Sequence, residues 1–333
     1  MSDTSIFILS LSLTFMITVL SLKWLIPVLK SHKMGQKILE IGPRWHKNKE
    51  GTPTMGGLSF IFAATVLALI AFAVIGLRDG IRAVIPGAIT MVYALLNGMI
   101  GIIDDKAKLR HKKNEGLTAK QKYLLQLVVA GAYLAAMALT DSITTVLYIP
   151  YFDLSVDLGI AYYLVALLLL TGMVNSVNLT DGIDGLAASV TAVVGAFFAL
   201  AAGFGLAGVF GSSVSLLSAL TIGGTLGFLV YNFYPARVFM GDTGSLFLGG
   251  LVVGMAFLIG NPLLVLILGL AYVMETASVI LQVSYFKLTH GKRIFKMAPI
   301  NHHFEQCGFT EIGVVVLFVT VTVLGCTAAW FGL

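Results

Sequence analysis

Residues 98–105, GMIGIIDD, end a long apolar run with two adjacent carboxylates, Asp104 and Asp105. A basic stretch, KAKLRHKKNEGLTAKQK (106–122), follows at once. An apolar run of about 20 residues predicts a membrane-spanning helix, whereas acidic side chains are costly in lipid. The stretch therefore predicts a membrane helix that ends at a polar surface, and the role of its two acids depends on where the other acids fall.

The whole chain has the composition of a helical membrane protein. Of its 333 residues, 58% are hydrophobic and 11% are charged, whereas a soluble domain carries about 25% charged residues. Ten apolar segments occur, at roughly 5–29, 55–77, 83–103, 121–140, 158–174, 185–205, 213–231, 244–260, 262–287 and 312–332. We therefore predict an all-α, polytopic membrane protein of about ten transmembrane helices, with residues 1–333 forming a single transmembrane domain.

The basic residues are concentrated in alternate loops. Loops that follow odd-numbered segments hold 18 of the 21 Lys and Arg residues, namely Lys30, Lys33, Lys37, Arg44, Lys47, Lys49, Lys106, Lys108, Arg110, Lys112, Lys113, Lys120, Lys122, Arg237, Lys287, Lys292, Arg293 and Lys296. The positive-inside rule places these loops in the cytoplasm and both termini outside. The outer loop 143–157, TTVLYIPYFDLSVDL, is rich in Tyr, Val and Thr and predicts a small β-hairpin.

The polar motifs of the chain all fall in the loops predicted to be cytoplasmic. Besides Asp104 and Asp105, they are NSVNLTDGIDGLA (175–187), FMGDTGS (239–245) and APINHHFE (298–305). Each acid alone could cap a helix or lie in solvent. Capping does not explain a double Asp at a helix C-terminus, where the helix dipole opposes negative charge. We therefore expect carboxylates from several loops to meet at one membrane face.

Carboxylates that gather at one face need a cation among them. Mg²⁺ takes oxygen ligands, usually one or two carboxylates with phosphate oxygens, and the adjacent His302 and His303 are not spaced for zinc. Mg²⁺, phosphate groups and nearby lysines are the parts used in phosphoryl transfer. The basic loop 106–122 could bind anionic substrate groups, or it could set topology against anionic lipid.

An ion-coupled transporter is the alternative from another functional class. Transporters place ionisable groups near the membrane midplane, often within inverted repeats. Here the acids fall at helix ends, and the sequence contains no strong repeat. In the ninth segment, Glu275, Ser278 and Gln282 follow at steps of three and four, so this stripe could line a groove or pack against other helices.

Five ordered motifs resemble those of one enzyme family: PTMGG (53–57), IDDKAKLRHKKNEGLTAKQK (103–122), NSVNLTDGIDGLA (175–187), FMGDTGS (239–245) and MAPINHHFE (297–305). Over residues 50 to 305 the chain is similar to the phospho-N-acetylmuramoyl-pentapeptide-transferase family, which belongs to the polyprenyl-phosphate N-acetylhexosamine-1-phosphate transferases. The resemblance implies that UDP-N-acetylmuramoyl-pentapeptide gives its phospho-sugar to undecaprenyl phosphate. The products would be lipid I and UMP, in the first membrane step of peptidoglycan synthesis.

The resemblance also implies Mg²⁺, an active site on the cytoplasmic side of the bacterial cytoplasmic membrane, a homodimer surrounded by lipid, and no nucleic-acid partner. A rival within the class is a relative that transfers N-acetylglucosamine-1-phosphate from its UDP conjugate.

Two mechanisms are compatible with the motifs. Undecaprenyl phosphate attacks the β-phosphorus directly while Asp104 removes its last proton, or an Asp attacks first. A phosphate monoester with a second pKa of about 6 is mostly a dianion at neutral pH, which favours direct attack.

Site residues follow from the resemblance, motif by motif. The catalytic residues that it implies are Asp104, Asp105, Asp242, His302 and His303, with Asp242 as the Mg²⁺ ligand. The substrate-binding residues that it implies are Lys108, Lys112 and Lys120 near the diphosphate, Phe239 stacked on the uracil, and Asn175, Asn178, Asp181, Gly182 and Asp184 around the uridine. The family usually has three consecutive histidines where this chain has Asn301, His302 and His303. Asn301 can form hydrogen bonds but cannot act as a base.

Overall fold

The structure is a computed structural model that describes residues 1–31, 49–111 and 116–333, without the side chains of Arg110 and His111. Its helices are α1 (Asp3–Ser31), α2 (Leu58–Asp79), α3 (Ile85–His111), α4 (Ala119–Leu139), α5 (Ala161–Thr180), α6 (Leu186–Gly203), α7 (Gly211–Asn232), α8 (Gly241–Leu258), α9 (Val265–Leu268), α10 (Leu270–Leu288), α11 (Ile300–Gln306) and α12 (Glu311–Trp330). Two strands, β1 (Val146–Ile149) and β2 (Leu154–Asp157), lie between α4 and α5.

The predicted number of membrane-spanning helices is confirmed. Within the described ranges, nine helices are long and apolar enough to cross a membrane, and Pro262–Leu268 together with α10 provides a tenth span that is bent by 82°. The ninth predicted segment, 262–287, is one span that is divided into two helices, because the helix breaks at Gly269. Glycine costs about 1 kcal/mol relative to alanine inside a helix, and the break falls at that weak point.

The predicted β-hairpin is confirmed. β1 and β2 pair antiparallel, with Val146 opposite Asp157 and Ile149 opposite Leu154. The hydroxyl of Tyr151, in the turn, donates a hydrogen bond to the carbonyl oxygen of Ala328 at 2.6 Å. The hairpin is therefore attached to the C-terminal end of α12.

Helix α8 lies at the centre of the bundle, and every residue from Thr243 to Leu258 is buried. Its glycines allow neighbouring backbones to approach closely, as is common between membrane helices. A Cβ atom on Gly249 would lie 2.7 Å from the Cα of Val174 in α5, and one on Gly250 would lie 2.8 Å from the Cα of Ala94 in α3. This packing brings the C-terminal ends of α3 and α5 to the N-terminus of α8.

Both termini lie at the opposite end of the bundle. The guanidinium of Arg78, at the end of α2, pairs with Asp3 at 2.6 Å and donates to the carbonyl oxygen of Met1 at 2.8 Å. The hairpin contact places the end of α12 at the level of the loop between α4 and α5. The bundle therefore has one end that carries both termini and another that carries the N-terminus of α8.

Candidate active site

Asp105 holds the first turn of α8. Its Oδ1 accepts the N–H of Asp242 at 3.2 Å, and its Oδ2 accepts both the N–H of Thr243 at 2.9 Å and the Thr243 hydroxyl at 2.7 Å. The first N–H groups of a helix have no intrahelical partner, and the positive end of the helix dipole favours an anion there. Asp105 therefore caps α8 from α3. The prediction that the two acids end this helix was wrong, because α3 continues to His111, so both acids lie within its last two turns.

The close approach of α3 to α8 depends on Gly101. A Cβ atom at this position would lie 2.2 Å from the carbonyl oxygen of Asp242 and 2.5 Å from the backbone nitrogen of Thr243. Real Cβ atoms do not approach backbone so closely. Any larger residue at 101 would therefore push the start of α8 away from Asp105.

Three carboxylates and two lysines form an acidic cluster, defined here as Asp104, Asp105, Asp242, Lys108 and Lys122. Oxygens of the three carboxylates lie within 4.8 Å of one another. The Lys108 ammonium lies 2.8 Å from Oδ2 of Asp104 and 3.0 Å from Oδ2 of Asp242, and the Lys122 ammonium lies 2.7 Å from the same Asp242 oxygen. With the carboxylates ionised, two cations against three anions leave one negative charge.

Asn178 orients Asp242 within the acidic cluster. Its amide nitrogen donates to Oδ1 of Asp242 at 3.0 Å and to the Ser245 hydroxyl at 2.8 Å, while its amide oxygen accepts from Lys122 at 3.2 Å. One turn earlier in α5, Asn175 donates to Gln126 of α4 at 2.7 Å. These amides hold α4 and α5 beside the start of α8.

The donor set of the acidic cluster suits a hard divalent cation. Mg²⁺ prefers carboxylate oxygens and takes one or two of them together with phosphate oxygens. The Asp242 side chain is 16% exposed, against 4% for both Asp104 and Asp105. Both Asp105 oxygens already accept hydrogen bonds from α8, whereas Oδ2 of Asp104 and Oδ2 of Asp242 share the Lys108 ammonium and so already face a cation. Asp242 and Asp104 are therefore the residues that could hold a metal ion.

Asp184 ties the loop between α5 and α6 to two other segments. Its Oδ2 accepts the N–H of Ala236 at 2.9 Å, and its Oδ1 pairs with the Lys49 ammonium at 2.7 Å. Lys49 also pairs with Glu311, at the start of α12, at 2.5 Å. The Asp184 carboxylate therefore connects the TDGID stretch to the loop between α7 and α8 and to the segment that precedes α2.

Asp181 follows the last residue of α5, near the acidic cluster. Burial raises the pKa of its carboxyl well above the usual range, and the neighbouring Asp242, Asp105 and Asp184 carboxylates add to the shift. A carboxyl in this position favours its protonated, hydrogen-bond-donating form.

Gly182 brings the TDGID stretch against α11. A Cβ atom on Gly182 would lie 2.6 Å from the amide nitrogen of Asn301 and 3.3 Å from Nε2 of His302. The other ring nitrogen of His302, Nδ1, lies 2.7 Å from Oε2 of Glu305. His302 is thus oriented by a carboxylate toward the loop between α5 and α6, in the arrangement that fixes a histidine tautomer.

His303 points to a different environment from His302. Its Nδ1 accepts the N–H of Lys296 at 3.2 Å, and its ring packs against Phe295 and Phe304 with centroids 5.6 and 5.8 Å away. Asn301 is fully buried, and its N–H donates to Oε2 of Glu275 at 3.4 Å. Glu275 and Ser278, from the predicted stripe, are buried inside the bundle, which favours the packing interpretation of that stripe.

Phe239 is held through its backbone by the PTMGG segment. Its N–H donates to the carbonyl oxygen of Pro53 at 2.9 Å, and its carbonyl oxygen accepts the N–H of Gly56 at 2.9 Å. The Phe239 side chain is half-buried. The segment before α2 therefore fixes the residue that the resemblance assigns to the nucleobase.

The predicted lysines fall in different places. Lys108 lies in the acidic cluster, Lys120 is exposed on the first turn of α4, and Lys112 lies outside the described residues. Lys122 belongs to the basic loop 106–122 but was not among the lysines assigned individually to the diphosphate, and it does lie in the acidic cluster. A signal was available, because Thr118 and Gln121 form a capping box that fixes the start of α4 and hence which lysines share a face.

Sequence comparisons extend the resemblance to most of the chain. Residues 87–260 match glycosyl transferase family 4, and residues 49–61 match the phospho-N-acetylmuramoyl-pentapeptide-transferase signature 1. The chain is 43% identical to the phospho-N-acetylmuramoyl-pentapeptide-transferase of Clostridium acetobutylicum, over 98% of this chain and 99% of that protein. It is 44% identical to the one of Clostridium botulinum, over 92% and 90%, and 45% identical to the one of Acetivibrio thermocellus, over 93% and 90%.

Proposed function

Since the chain belongs to glycosyl transferase family 4 and, within it, to the phospho-N-acetylmuramoyl-pentapeptide-transferases, we propose that it makes lipid I and UMP from UDP-N-acetylmuramoyl-pentapeptide and undecaprenyl phosphate. The protein is a phospho-sugar transferase and a multi-pass membrane protein. The proposal adds the identity of both substrates and both products, a requirement for Mg²⁺, and a place in peptidoglycan synthesis.

The active site faces the cytoplasm in this proposal, in the bacterial cytoplasmic membrane. The acidic cluster lies at the bundle end opposite both termini, and 18 of the 21 basic residues occur in loops predicted at that end. The positive-inside rule supports this orientation. A soluble nucleotide sugar and a lipid phosphate could then meet where the membrane helices end.

The diphosphate of the nucleotide sugar would bind beside Lys108 and Lys122. Both ammonium groups point at Asp242, so they already line the place where a metal-bound diphosphate would lie. The uridine would lie toward Phe239, Asp181 and Gly182, which border the same end of the bundle. Exposed apolar residues of α10, such as Leu281 and Val283, offer a lipid-facing surface nearby, suited to an isoprenoid chain that stays in the bilayer.

Positioning and charge neutralisation account for most of the expected rate. An oxygen of the lipid phosphate forms a bond to the β-phosphorus, the bond from that phosphorus to the bridging oxygen breaks, and UMP leaves with the electron pair. Bound Mg²⁺ supplies charge neutralisation at the diphosphate. Lys108 and Lys122 would hold the diphosphate, Asp242 would supply the metal-binding oxygen, and Asp104 would accept the last proton of any monoanionic lipid phosphate.

The environment of the aspartates supports direct attack over a covalent intermediate. Asp105 accepts three hydrogen bonds from α8, and Oδ1 of Asp104 accepts the N–H of Leu117 at 2.7 Å. Carboxylate oxygens that are stabilised in this way are weak nucleophiles. A phospho-sugar trapped on either aspartate after a quench without undecaprenyl phosphate would overturn this choice.

The observation that carries the proposal is the acidic cluster itself, which combines three carboxylates with two lysines. The test is UMP release by the purified protein with undecaprenyl phosphate and either UDP-N-acetylmuramoyl-pentapeptide or UDP-N-acetylglucosamine. We expect release with the muramoyl substrate alone. Release with the N-acetylglucosamine substrate alone would assign the chain to the rival reaction, and release with neither would refute both. The homodimer and the catalytic role of His303 stay predictions of the family resemblance.

A further inference from the structure

A polar cavity lies beside Pro53, the residue whose carbonyl oxygen accepts the N–H of Phe239. It has a volume of about 500 Å³ and is lined by the inner end of α1, by residues 50–53, and by Tyr231, Ala236 and Arg237. Pockets of about 300–1,000 Å³ are large enough for a small ligand or a lipid headgroup. None of the acidic-cluster residues lines this cavity among the residues described, so it is separate from the active site.

Positive charge dominates the cavity. Lys23, Lys30 and Arg237 line it against one carboxylate, that of Glu50. Lys23 and Lys30 are seven residues apart and therefore lie on the same face of α1, about 10 Å apart along the helix axis. Among the described lining residues, three cations stand against one carboxylate, which is an excess of two positive charges and favours an anionic ligand.

The cavity adjoins surface that faces lipid. On α1, Trp24 is 76% exposed, Leu20 is 54% exposed and Val28 is 50% exposed. A tryptophan beside lysines at the end of a membrane helix is typical of the bilayer interface. A ligand that occupies the cavity and also covers this surface must therefore have an anionic head and apolar tails.

Two walls of the cavity are bonded directly to the active site. The N–H of Ala236 donates to Asp184 at 2.9 Å, and the carbonyl oxygen of Pro53 accepts the N–H of Phe239 at 2.9 Å. The N–H of Arg237 donates to the carbonyl oxygen of Tyr231 at 2.8 Å, which fixes Arg237 to the end of α7. An anion held by Lys23, Lys30 and Arg237 would bridge α1 to the loop that carries Phe239.

We propose that this cavity binds the phosphate headgroup of an anionic phospholipid of the inner leaflet, with its acyl chains along α1, and that the lipid fixes the loop between α7 and α8. Clusters of basic side chains at a membrane surface bind anionic headgroups in this way. The bound lipid is a structural ligand and takes no part in the transfer reaction.

The test measures binding of fluorescent phosphatidylglycerol to the purified full-length protein in phosphatidylcholine nanodiscs. The variants are Lys23→Gln/Lys30→Gln and, outside the membrane helices, Arg237→Gln. We expect about fivefold weaker binding per removed charge, as follows from the attraction of one basic side chain to an anionic surface. The control is Lys287→Gln/Lys292→Gln, which removes two exposed cations that do not line the cavity, and we expect its binding to stay unchanged.

Two outcomes would overturn the proposal. Equal loss of binding in the control variant would show that net charge alone attracts the lipid. Displacement of phosphatidylglycerol by inorganic phosphate at similar concentrations would show that the cavity takes a soluble anion. Because this assay measures lipid binding without turnover, it tests the cavity even if the proposed reaction is wrong. As a second readout, UMP release should rise on adding phosphatidylglycerol for the native protein and not for Arg237→Gln.

Discussion

Removal of the Thr243 hydroxyl tests whether Asp105 positions the active site or reacts in it. Asp105 is buried and accepts three hydrogen bonds from α8, one of them from that hydroxyl at 2.7 Å. Thr243→Val deletes this bond and keeps the shape of the side chain. A hydrogen bond to a charged group contributes about 1.5–3 kcal/mol, so about 2 kcal/mol is expected here. Where all of that free energy serves to position the active site, its loss corresponds to roughly a thirtyfold decrease in kcat/KM.

Asp105→Asn perturbs the same contact from the other side. The amide loses the charge that strengthens all three bonds, and its NH2 group must face an N–H or a hydroxyl of α8. At about 1 kcal/mol for each of the three weakened hydrogen bonds, the site loses about 3 kcal/mol of stabilisation. This corresponds to a decrease of roughly 150-fold in kcat/KM. Both substitutions disrupt the same hydrogen bond between Thr243 and Asp105. The loss of transition-state free energy in the double variant should therefore be smaller than the sum of the two single losses, by about 1 kcal/mol or more.

Two measurements decide this prediction. The first is kcat/KM for UMP release by the single and double variants. The control is Thr322→Val, since the buried Thr322 hydroxyl donates to the carbonyl oxygen of Phe318 in the same helix at 2.7 Å. The second is hydrogen exchange at the start of α8, which should be faster in both single variants because Asp105 accepts two N–H groups there. A positioning role for Asp105 would be refuted if Asp105→Asn were inactive while the kcat/KM of Thr243→Val stayed within twofold of the native value.

Three further predictions follow from the site and its packing. Lys122→Met should lower kcat/KM by tenfold or more, because the Lys122 ammonium contacts Asp242. Lys120 is exposed, so Lys120→Met should lower kcat/KM by less than about threefold. A larger loss in Lys120→Met than in Lys122→Met would favour Lys120 as the diphosphate-binding residue that the family resemblance implies. Gly101→Ala should cost about 1–3 kcal/mol of stability in thermal unfolding, since its Cβ would collide with Asp242. Gly131→Ala, inside α4 with open space around it, should keep or raise the unfolding temperature, because alanine is favoured over glycine inside a helix. A chelator should abolish UMP release and added Mg²⁺ should restore it; release that persists in chelator would exclude a metal-dependent reaction.

Much of the fold could be predicted because lipid imposes simple rules on sequence. Apolar runs of one length gave the number of spans, and the alternation of basic loops indicated which polar motifs would meet. The bend at Gly269 could not be predicted, since the apolar run is continuous through it. The short helix α11 was missed for a related reason, because a seven-residue helix leaves little periodicity to detect.

The site was predicted at the level of its motifs, and less well at the level of single side chains. Asp105 caps a helix whose first residues lie 137 positions away, a contact that depends on tertiary packing through Gly101. The choice between Lys120 and Lys122 depends on the rotation of α4, which a shift of one residue in its start would change by about 100°. Asp184 likewise forms an ion pair with Lys49 that local sequence does not reveal.

Carboxylates from α3 and α8 form one magnesium site in the reaction proposed above, and that site drives transfer to a lipid phosphate. The most direct test of that site is UMP release by Asp242→Asn across a titration of Mg²⁺, compared with the native protein. We expect the variant to fold, with unchanged thermal unfolding, and to lose at least about a hundredfold in Mg²⁺-dependent turnover. Native turnover with a native Mg²⁺ dependence would show that Asp242 has no part in the metal site, and the proposed magnesium site would then be wrong.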